Sequence, residues 1–227
     1  MSELAPCVFY VCGGIGAGKS TVIRHLTDCG LACALEPVDA WQRAGMLDAM
    51  YKTQELAPGA PRDPAVHIDA AAFQTAALVT RYAALQASIG GAGPTGAVCV
   101  ERSLAEDREV FAAETIPAGS VTRAAYDLAW DTLTAQVMPH VAYHIVLDCP
   151  VATMMERAAG RGRTEEAGLS AGYMHRLGAR YASWADKLPP ARTFRVDASV
   201  QAEHVAVQVA EWVLRLCRER EAARRAE

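Results

Sequence analysis

The sequence contains no long apolar run, although 52% of its 227 residues are hydrophobic. A helix that crosses a membrane needs about 20 consecutive apolar residues, and no stretch approaches that length. The first apolar run begins at residue 8, and we expect the few residues before it to be too short for a secretory or organellar leader. We therefore expect a cytoplasmic protein without a membrane partner.

The sequence also has little excess of charge of one sign. Its formal net charge is −4, and acidic and basic residues are interspersed, so we expect no nucleic-acid partner. The seven cysteines are scattered and no histidine cluster accompanies them. This pattern argues against a disulfide framework and against a zinc site.

Short apolar runs alternate with helical patterns along the chain. Strands are predicted at residues 8–12, 31–35, 97–100, 143–147 and 193–196. Helices are predicted at residues 19–29, 38–51, 66–89, 104–113, 121–138 and 151–159 and near the end of the chain, with a proline-rich loop between Met50 and Phe73. The alternation, without repeats or a linker, predicts one α/β domain over residues 1–227 with a five-stranded parallel sheet flanked by helices.

A phosphate-binding motif follows the first predicted strand, at residues 13–21. It satisfies G-x-x-x-x-G-K-[ST] with Gly13, Gly14, Ile15, Gly16, Ala17, Gly18, Lys19 and Ser20, followed by Thr21. The glycines allow the backbone to aim N–H groups at phosphate oxygens, Lys19 adds a positive charge, and Ser20 can bind Mg²⁺. The motif predicts a bound nucleoside triphosphate, but GTPases, ATPases and small-molecule kinases share it.

The sequence lacks the D-x-x-G and N-K-x-D motifs that a switch GTPase needs. Instead, Glu36 follows the second predicted strand, and Glu101 and Arg102 follow the third. Open α/β sheets bind ligands at the carboxyl ends of their strands. These side chains are therefore candidates for the chemistry.

Six elements occur in order between residues 8 and 186: the phosphate loop, Glu36-Pro37-Val38 with Trp41, Met50-Tyr51-Lys52, Phe73-Gln74, Glu101-Arg102-Ser103, and Arg161-Gly162-Arg163-Thr164-Glu165-Glu166. In them the chain resembles the deoxynucleoside kinase family, which includes deoxycytidine, deoxyguanosine and mitochondrial-type thymidine kinases and their insect and viral relatives. The resemblance implies a P-loop kinase fold, ATP and Mg²⁺ as cofactors, a deoxynucleoside substrate in nucleotide salvage, and a homodimer.

The resemblance also implies roles for individual residues. Glu36 takes the proton of the 5′-hydroxyl, Arg102 holds the 5′-oxygen, and Ser20 with Glu101 binds Mg²⁺. An arginine-rich lid at about residues 157–170 brings cations to the phosphates, and Glu166 with Tyr51 reads the 3′-hydroxyl. The lid cations are Arg157, Arg161 and Arg163, and the further nucleoside contacts are Trp41, Met50, Phe73, Gln74, Ala77, Arg81, Asp107 and Phe111.

Gln74, Ala77 and Arg81 share one face of a predicted helix. In the family, an arginine and an aspartate at the positions of Arg81 and Asp107 accompany deoxycytidine and deoxypurine substrates. This implies such a preference here, with thymidine also possible. Two alternatives stay open: a nucleoside monophosphate kinase, against which the acidic Glu36 argues, and a non-catalytic nucleotide-binding protein.

Overall fold

The computed structural model describes residues 5–52, 64–92 and 96–226, without the side chains of residues 52, 64–68, 167, 224 and 226. Within these residues no helix is both long enough and apolar enough to cross a membrane.

The centre of the fold is a parallel sheet of five strands in the order β2-β3-β1-β4-β5. All six residues of β1 are buried, as the middle strand of a sheet covered on both faces requires. The strands are β1 Cys7–Cys12, β2 Ala32–Ala34, β3 Ala97–Glu101, β4 Val141–Asp148 and β5 Thr193–Asp197. The predicted fold class and strand number are confirmed.

Helices connect the strands and cover the sheet, with α1 packed against α10 and α4 against α7. A π-helical segment, Asp107–Ala112, lies between α5 and α6, and 3₁₀ turns occupy Thr164–Gly168 and Pro190–Arg192. The α-helices are α1 Lys19–Asp28, α2 Val38–Arg43, α3 Met46–Lys52, α4 Pro64–Gly90, α5 Leu104–Glu106, α6 Ala113–Thr115, α7 Val121–Thr134, α8 Val151–Arg161, α9 Ala171–Ala185 and α10 Ala202–Ala226.

Several predicted boundaries are wrong. The residues predicted as one helix at 38–51 form two helices, α2 and α3. Gly45, at φ 68°, interrupts the helical conformation between them. Of the predicted loop, residues 53–63 lie outside the described residues, whereas α4 already begins at Pro64, a residue type that fits the first helical turn. The strand predicted at 143–147 begins at Val141, and the helix predicted at 121–138 ends at Thr134.

Helix α9 was not predicted. Its sequence includes Gly172 and Gly178, which weaken a helix, but its apolar residues still recur at helical spacing. The face that they form is buried and consists of Tyr173, Met174, Leu177, Tyr181, Trp184 and Ala185. Burial of this face against the rest of the domain outweighs the low intrinsic helix propensity.

Candidate active site

A cavity of about 880 Å³ lies at the carboxyl ends of β1, β2 and β3. It brings together most of the residues that the sequence predicted for a site. These are Ile15, Gly16, Gly18, Lys19, Ser20, Thr21, Glu36, Trp41, Met50, Tyr51, Phe73, Gln74, Arg81, Glu101, Arg102, Phe111, Arg157, Arg161, Arg163 and Glu166. Gly13, Gly14, Ala17, Ala77 and Asp107 lie behind this lining.

The phosphate loop connects β1 to α1 and is packed tightly against α8. A Cβ atom on Gly14 would lie 2.4 Å from Met154 Sδ, and one on Gly16 would lie 2.2 Å from the Met154 carbonyl oxygen. Gly16 and Gly18 also have φ values of 82° and 100°, which L side chains rarely adopt. The loop therefore needs glycine at these positions for space and for backbone conformation.

Lys19 and Ser20 begin α1 and face Glu101 at the end of β3. Ser20 Oγ donates to the two carboxylate oxygens of Glu101 at 3.2 and 3.3 Å, and Lys19 Nζ lies 3.9 Å from Glu101 Oε1. A hydroxyl and a carboxylate side by side next to a phosphate site are the ligands that Mg²⁺ takes from proteins, with phosphates and waters completing its shell. These two residues therefore fit the ion.

Lys19 is buried, and its Nζ donates to the Gly14 carbonyl oxygen at 2.9 Å. Burial lowers the pKa of Lys19 to about 8, and the positive charge of Arg102 contributes in the same direction. Nearby carboxylates, of which Glu101 acts most strongly, oppose the change. A polyphosphate in the loop would act as these carboxylates do, because its negative charge would favour the charged form of Lys19 and raise the pKa of that residue.

Glu36 follows β2 and binds two arginines through one oxygen. Its Oε1 accepts from Arg81 Nε at 2.9 Å and Arg81 Nη2 at 2.6 Å, and lies 2.8 Å from Arg102 Nε. Burial favours the neutral acid, but the charges of Arg102, Arg81 and Lys19 outweigh it and hold the pKa of Glu36 at about 2. Glu36 is therefore ionised throughout the physiological pH range.

Arg81 lies between two carboxylates. Its Nη1 donates to Asp107, which also accepts from the Tyr126 hydroxyl at 3.0 Å, and its guanidinium carbon lies 5.0 Å from the centre of the Trp41 ring. Asp107 belongs to the π-helical segment and is fully buried. The sequence predicts Asp107 among the nucleoside contacts, but the side chain does not line the cavity. It contacts Arg81, which does line the cavity.

The pocket beyond Glu36 is apolar with one polar amide. Phe73 packs edge-on against Trp41 with ring centres 5.5 Å apart, and Phe111 also lines the cavity. Gln74 is buried, its Nε2 lies 3.9 Å from Met50 Sδ, and among the described residues its Oε1 has no hydrogen-bond partner. An unpaired buried acceptor is costly, and a ligand with an N–H group would satisfy it.

The charged residues of the predicted lid line the cavity. Glu166 binds Arg161 Nη2 through both carboxylate oxygens at 2.6 Å, and Arg163 Nη1 at 3.3 Å. Burial raises the pKa of Tyr51, and the charge of Glu166 raises it further, which reflects how close these two residues lie. Arg157 instead donates from Nη1 to the Ala198 carbonyl oxygen at 2.8 Å.

Two of the three residues that contact Arg102 Nη1, Glu106 and Tyr181, were not predicted from the sequence. The Nη1 atom donates to the Gly13 carbonyl oxygen at 3.0 Å, to Glu106 Oε1 at 2.6 Å, and to the Tyr181 hydroxyl. A signal existed for Glu106, because Ser103-x-x-Glu106 is a capping box at the start of α5. The helical spacing of α9 could have indicated Tyr181 as a buried residue.

A phosphate loop, a carboxylate beside it and a group of arginines around one cavity are typical of a P-loop phosphotransferase. Comparison with known proteins gives the family. Residues 9–218 match the family described as deoxynucleoside kinase, and the chain therefore belongs to it. Membership makes the chain a kinase that takes phosphate from ATP and transfers it to a nucleoside.

The chain is similar to viral nucleoside kinases. It is 29% identical to the thymidine kinase of Ictalurid herpesvirus 1 over 212 residues, which cover 92% of this chain and 86% of the relative. It is 33% identical to a probable deoxycytidine kinase of Fowlpox virus over 100 residues, which cover 44% of this chain and 37% of the relative.

The fold is similar to that of deoxyadenosine kinase from M. mycoides, whose structure holds the product dCMP and a flexible dCDP. The TM-score is 0.68 at 19% identity, and the match covers 90% of this chain and 97% of the other. This similarity confirms the predicted P-loop kinase fold.

Proposed function

We propose that the chain, as a single domain, transfers the γ-phosphate of ATP to the 5′-hydroxyl of a deoxyribonucleoside. We further propose a preference for deoxycytidine and purine deoxynucleosides. The supporting observation is Glu36, an ionised carboxylate bound to Arg81 and Arg102 in the cavity that the phosphate loop also lines. A negative charge there suits a hydroxyl acceptor and repels a phosphate acceptor, as in a nucleoside monophosphate kinase.

In the proposed mechanism Glu36 accepts the hydrogen bond of the 5′-hydroxyl and orients its oxygen. A carboxylate with a pKa of about 2 is a weak base, but phosphoryl transfer proceeds through a loose transition state, so the hydroxyl proton can pass to Glu36 late in the step. Arg102 holds the oxygen in line. Lys19, Arg161 and Arg163 balance the negative charge that moves during transfer.

Mg²⁺ is proposed as a cofactor that would be held by Ser20 and Glu101, whose oxygens lie 3.2 and 3.3 Å apart. When bound, the ion would neutralise phosphate charge. Arg157 and the phosphate-loop backbone complete the proposed ATP contacts.

The proposed base preference rests on Arg81 and Gln74. Gln74 offers a buried acceptor for an amino group and a donor beside it, which matches the edges of cytosine and adenine. Arg81 is fixed by Glu36 and Asp107, so it cannot easily move to make room for the methyl group of thymine. Thymidine is the second candidate substrate, because the viral relative that matches most of this chain is named thymidine kinase.

A homodimer is also proposed. Two adjacent helices, α4 and α7, carry exposed apolar side chains, namely Val79 at 45%, Val121 at 86% and Leu128 at 69% exposure. Apolar surface of this kind is typical of protein interfaces. Light scattering coupled to size-exclusion chromatography would measure the mass, and a monomer at all concentrations would contradict the proposal.

The test of the function is a panel of initial rates with ATP and Mg²⁺. The acceptors are the four deoxynucleosides, thymidine monophosphate and deoxycytidine monophosphate, and Lys19→Met serves as an inactive control. We expect turnover of nucleosides only, with thymidine slower than the other three. Thymidine turned over much faster would overturn the base preference. Turnover of monophosphates alone would overturn the assigned acceptor.

A further inference from the structure

Tyr181 lies at a junction of three elements that surround the proposed reaction centre. Its hydroxyl lies 2.9 Å from the Gly13 carbonyl oxygen and contacts both Glu106 Oε1 and Arg102 Nη1. The hydroxyl oxygen accepts from the guanidinium, and its one proton is shared between the two acceptors. Tyr181 therefore links α9 to the phosphate loop and to the end of β3.

Arg102 needs such support because its backbone is in an unfavourable conformation. Its φ is 66°, and it is the one non-glycine residue with a positive φ among the residues that the structure describes. An arginine in the left-handed region is strained, and it persists only where surrounding contacts over-determine it. Its amide donates to the Val11 carbonyl oxygen at 3.0 Å, which fixes the backbone, but the guanidinium requires its own contacts.

Glu106 supplies the second of these contacts. It is fully buried, does not line the cavity, and is not used in the mechanism proposed above. Its Oε1 binds Arg102 Nη1 at 2.6 Å, while its Oε2 accepts from the Ser103 amide at 3.4 Å. A buried carboxylate is expensive to desolvate and is retained only with close partners, which here are the guanidinium and the Tyr181 hydroxyl.

The two ends of the Arg102 guanidinium thus face different groups. Nε lies 2.8 Å from Glu36 Oε1, on the cavity side, whereas Nη1 is held by Glu106 and Tyr181 behind it. The Phe111 ring fixes the plane as well, since the guanidinium carbon lies 4.3 Å from its centre. Tyr181 also packs edge-on against this ring, with centres 6.0 Å apart.

We propose that Tyr181 and Glu106 are positioning residues that lock Nη1 of Arg102, so that the rest of the guanidinium is directed at Glu36 and the acceptor oxygen. The proposal rests on the proposed role of Arg102 in phosphoryl transfer. Loss of either contact leaves substrate binding intact but lets the guanidinium of Arg102 rotate away from the reacting oxygen. The effect should therefore appear in kcat and not in the affinity for either substrate.

The experiment begins with the wild-type rate on deoxynucleosides and compares Tyr181→Phe, Glu106→Gln and the control Tyr143→Phe. Tyr143 stacks on Phe9 in the sheet, 5.1 Å between ring centres, and does not line the cavity. We expect kcat to fall about 10- to 100-fold in the first two variants. KM for ATP and Kd for the nucleoside should change less than about threefold, and the control should behave as wild type.

A double-mutant cycle with Arg102→Ala separates positioning from a general structural role. In single-turnover measurements with radiolabelled ATP, Tyr181→Phe should cause no further loss once Arg102 is absent. Thermal unfolding of each variant verifies that it is folded, and Glu106→Gln gives a second result of the same kind because it retains the size of the side chain.

Three results would overturn the inference: a kcat for Tyr181→Phe and Glu106→Gln equal to that of the control, a loss carried mainly by substrate affinity, or an undiminished loss in the Arg102→Ala background. Failure of the proposed function looks different, because the wild-type protein itself would then not phosphorylate deoxynucleosides.

Discussion

Replacing Glu36 by glutamine tests the proposed mechanism most directly. The substitution removes one negative charge and keeps the shape of the side chain, so the amide oxygen can still accept from Arg81 and Arg102. The variant retains the cavity and the phosphate loop. Any change in rate then reports on the carboxylate charge.

The expected loss of activity follows from the proposed role of the carboxylate. A positioned general base contributes about 10²- to 10⁴-fold to a rate. The pKa of about 2 makes Glu36 a weak base, which favours the lower half of that range. We therefore expect kcat to fall about 10²- to 10³-fold with little change in the Kd of the nucleoside.

The expected loss of stability is small, and the charges of the site show why. Arg81 and Arg102 each have a second carboxylate, Asp107 and Glu106 respectively. Without the charge of Glu36, each buried guanidinium still has one carboxyl partner within hydrogen-bond distance. The substitution should therefore lower the free energy of unfolding by about 1–2 kcal/mol, the difference between a charged and a neutral acceptor. Breaking a buried pair so that one charge stays unpaired would cost more, about 3–5 kcal/mol.

The assay is a direct measurement of nucleoside monophosphate formation by chromatography, with nucleoside affinity from calorimetry and stability from urea unfolding. Glu109→Gln is the matched control, because Glu109 is exposed and does not line the cavity. A kcat for Glu36→Gln within about threefold of the control would remove Glu36 from the chemistry. An unfolded variant would instead contradict the expectation that Asp107 and Glu106 still stabilise the two buried arginines.

Three further predictions concern single side chains. Because burial lowers the pKa of Lys19 to about 8, kcat/KM for ATP should fall as pH rises through 8, whereas kcat at saturating ATP should stay flat; parallel profiles would contradict this. Asp107→Asn frees Arg81 on one side and should raise the thymidine-to-deoxycytidine ratio of kcat/KM by about tenfold; an unchanged ratio would contradict it. Burial lowers the pKa of His144 from 6.5 to about 4, so its contribution to stability is complete above pH 6.5 and is lost as pH falls toward 4. Between pH 7.5 and 5 this amounts to about 2 kcal/mol, which His144→Phe should abolish in urea unfolding at the two pH values; an identical pH dependence in the variant would contradict the assignment.

Much of the fold could be predicted because its signals are local. A buried apolar strand followed by glycines, Lys19 and Ser20 indicates both β1 and the turn into α1. The three acidic and basic groups that follow β2 and β3 could be assigned to one edge of the sheet, since the carboxyl ends of parallel strands lie together. The structure brings Glu36, Glu101 and Arg102 to the same cavity.

The π-helical segment could not be predicted, because its cause is not local. Residues 104–113 have the periodicity of an ordinary helix, but the backbone widens over Asp107–Ala112. In this conformation Asp107 reaches Arg81 on α4 while Phe111 reaches the cavity lining. A π-helical turn is unfavourable by itself and is stabilised by such tertiary contacts, which a single sequence does not display.

The orientation of the Arg102 side chain could not be predicted from the sequence. A motif identifies the arginine, but its orientation depends on Tyr181, which lies 79 residues further along the chain. Nothing in the sequence near Tyr181 distinguishes its hydroxyl from that of any tyrosine on the buried face of a helix. The difference arises only because α9 packs beside the strained backbone of Arg102, so that an ordinary core position gains a polar contact with the guanidinium of that residue. The residues proposed to touch substrate can therefore be read from motifs, whereas those proposed to orient them have to be found from the packing.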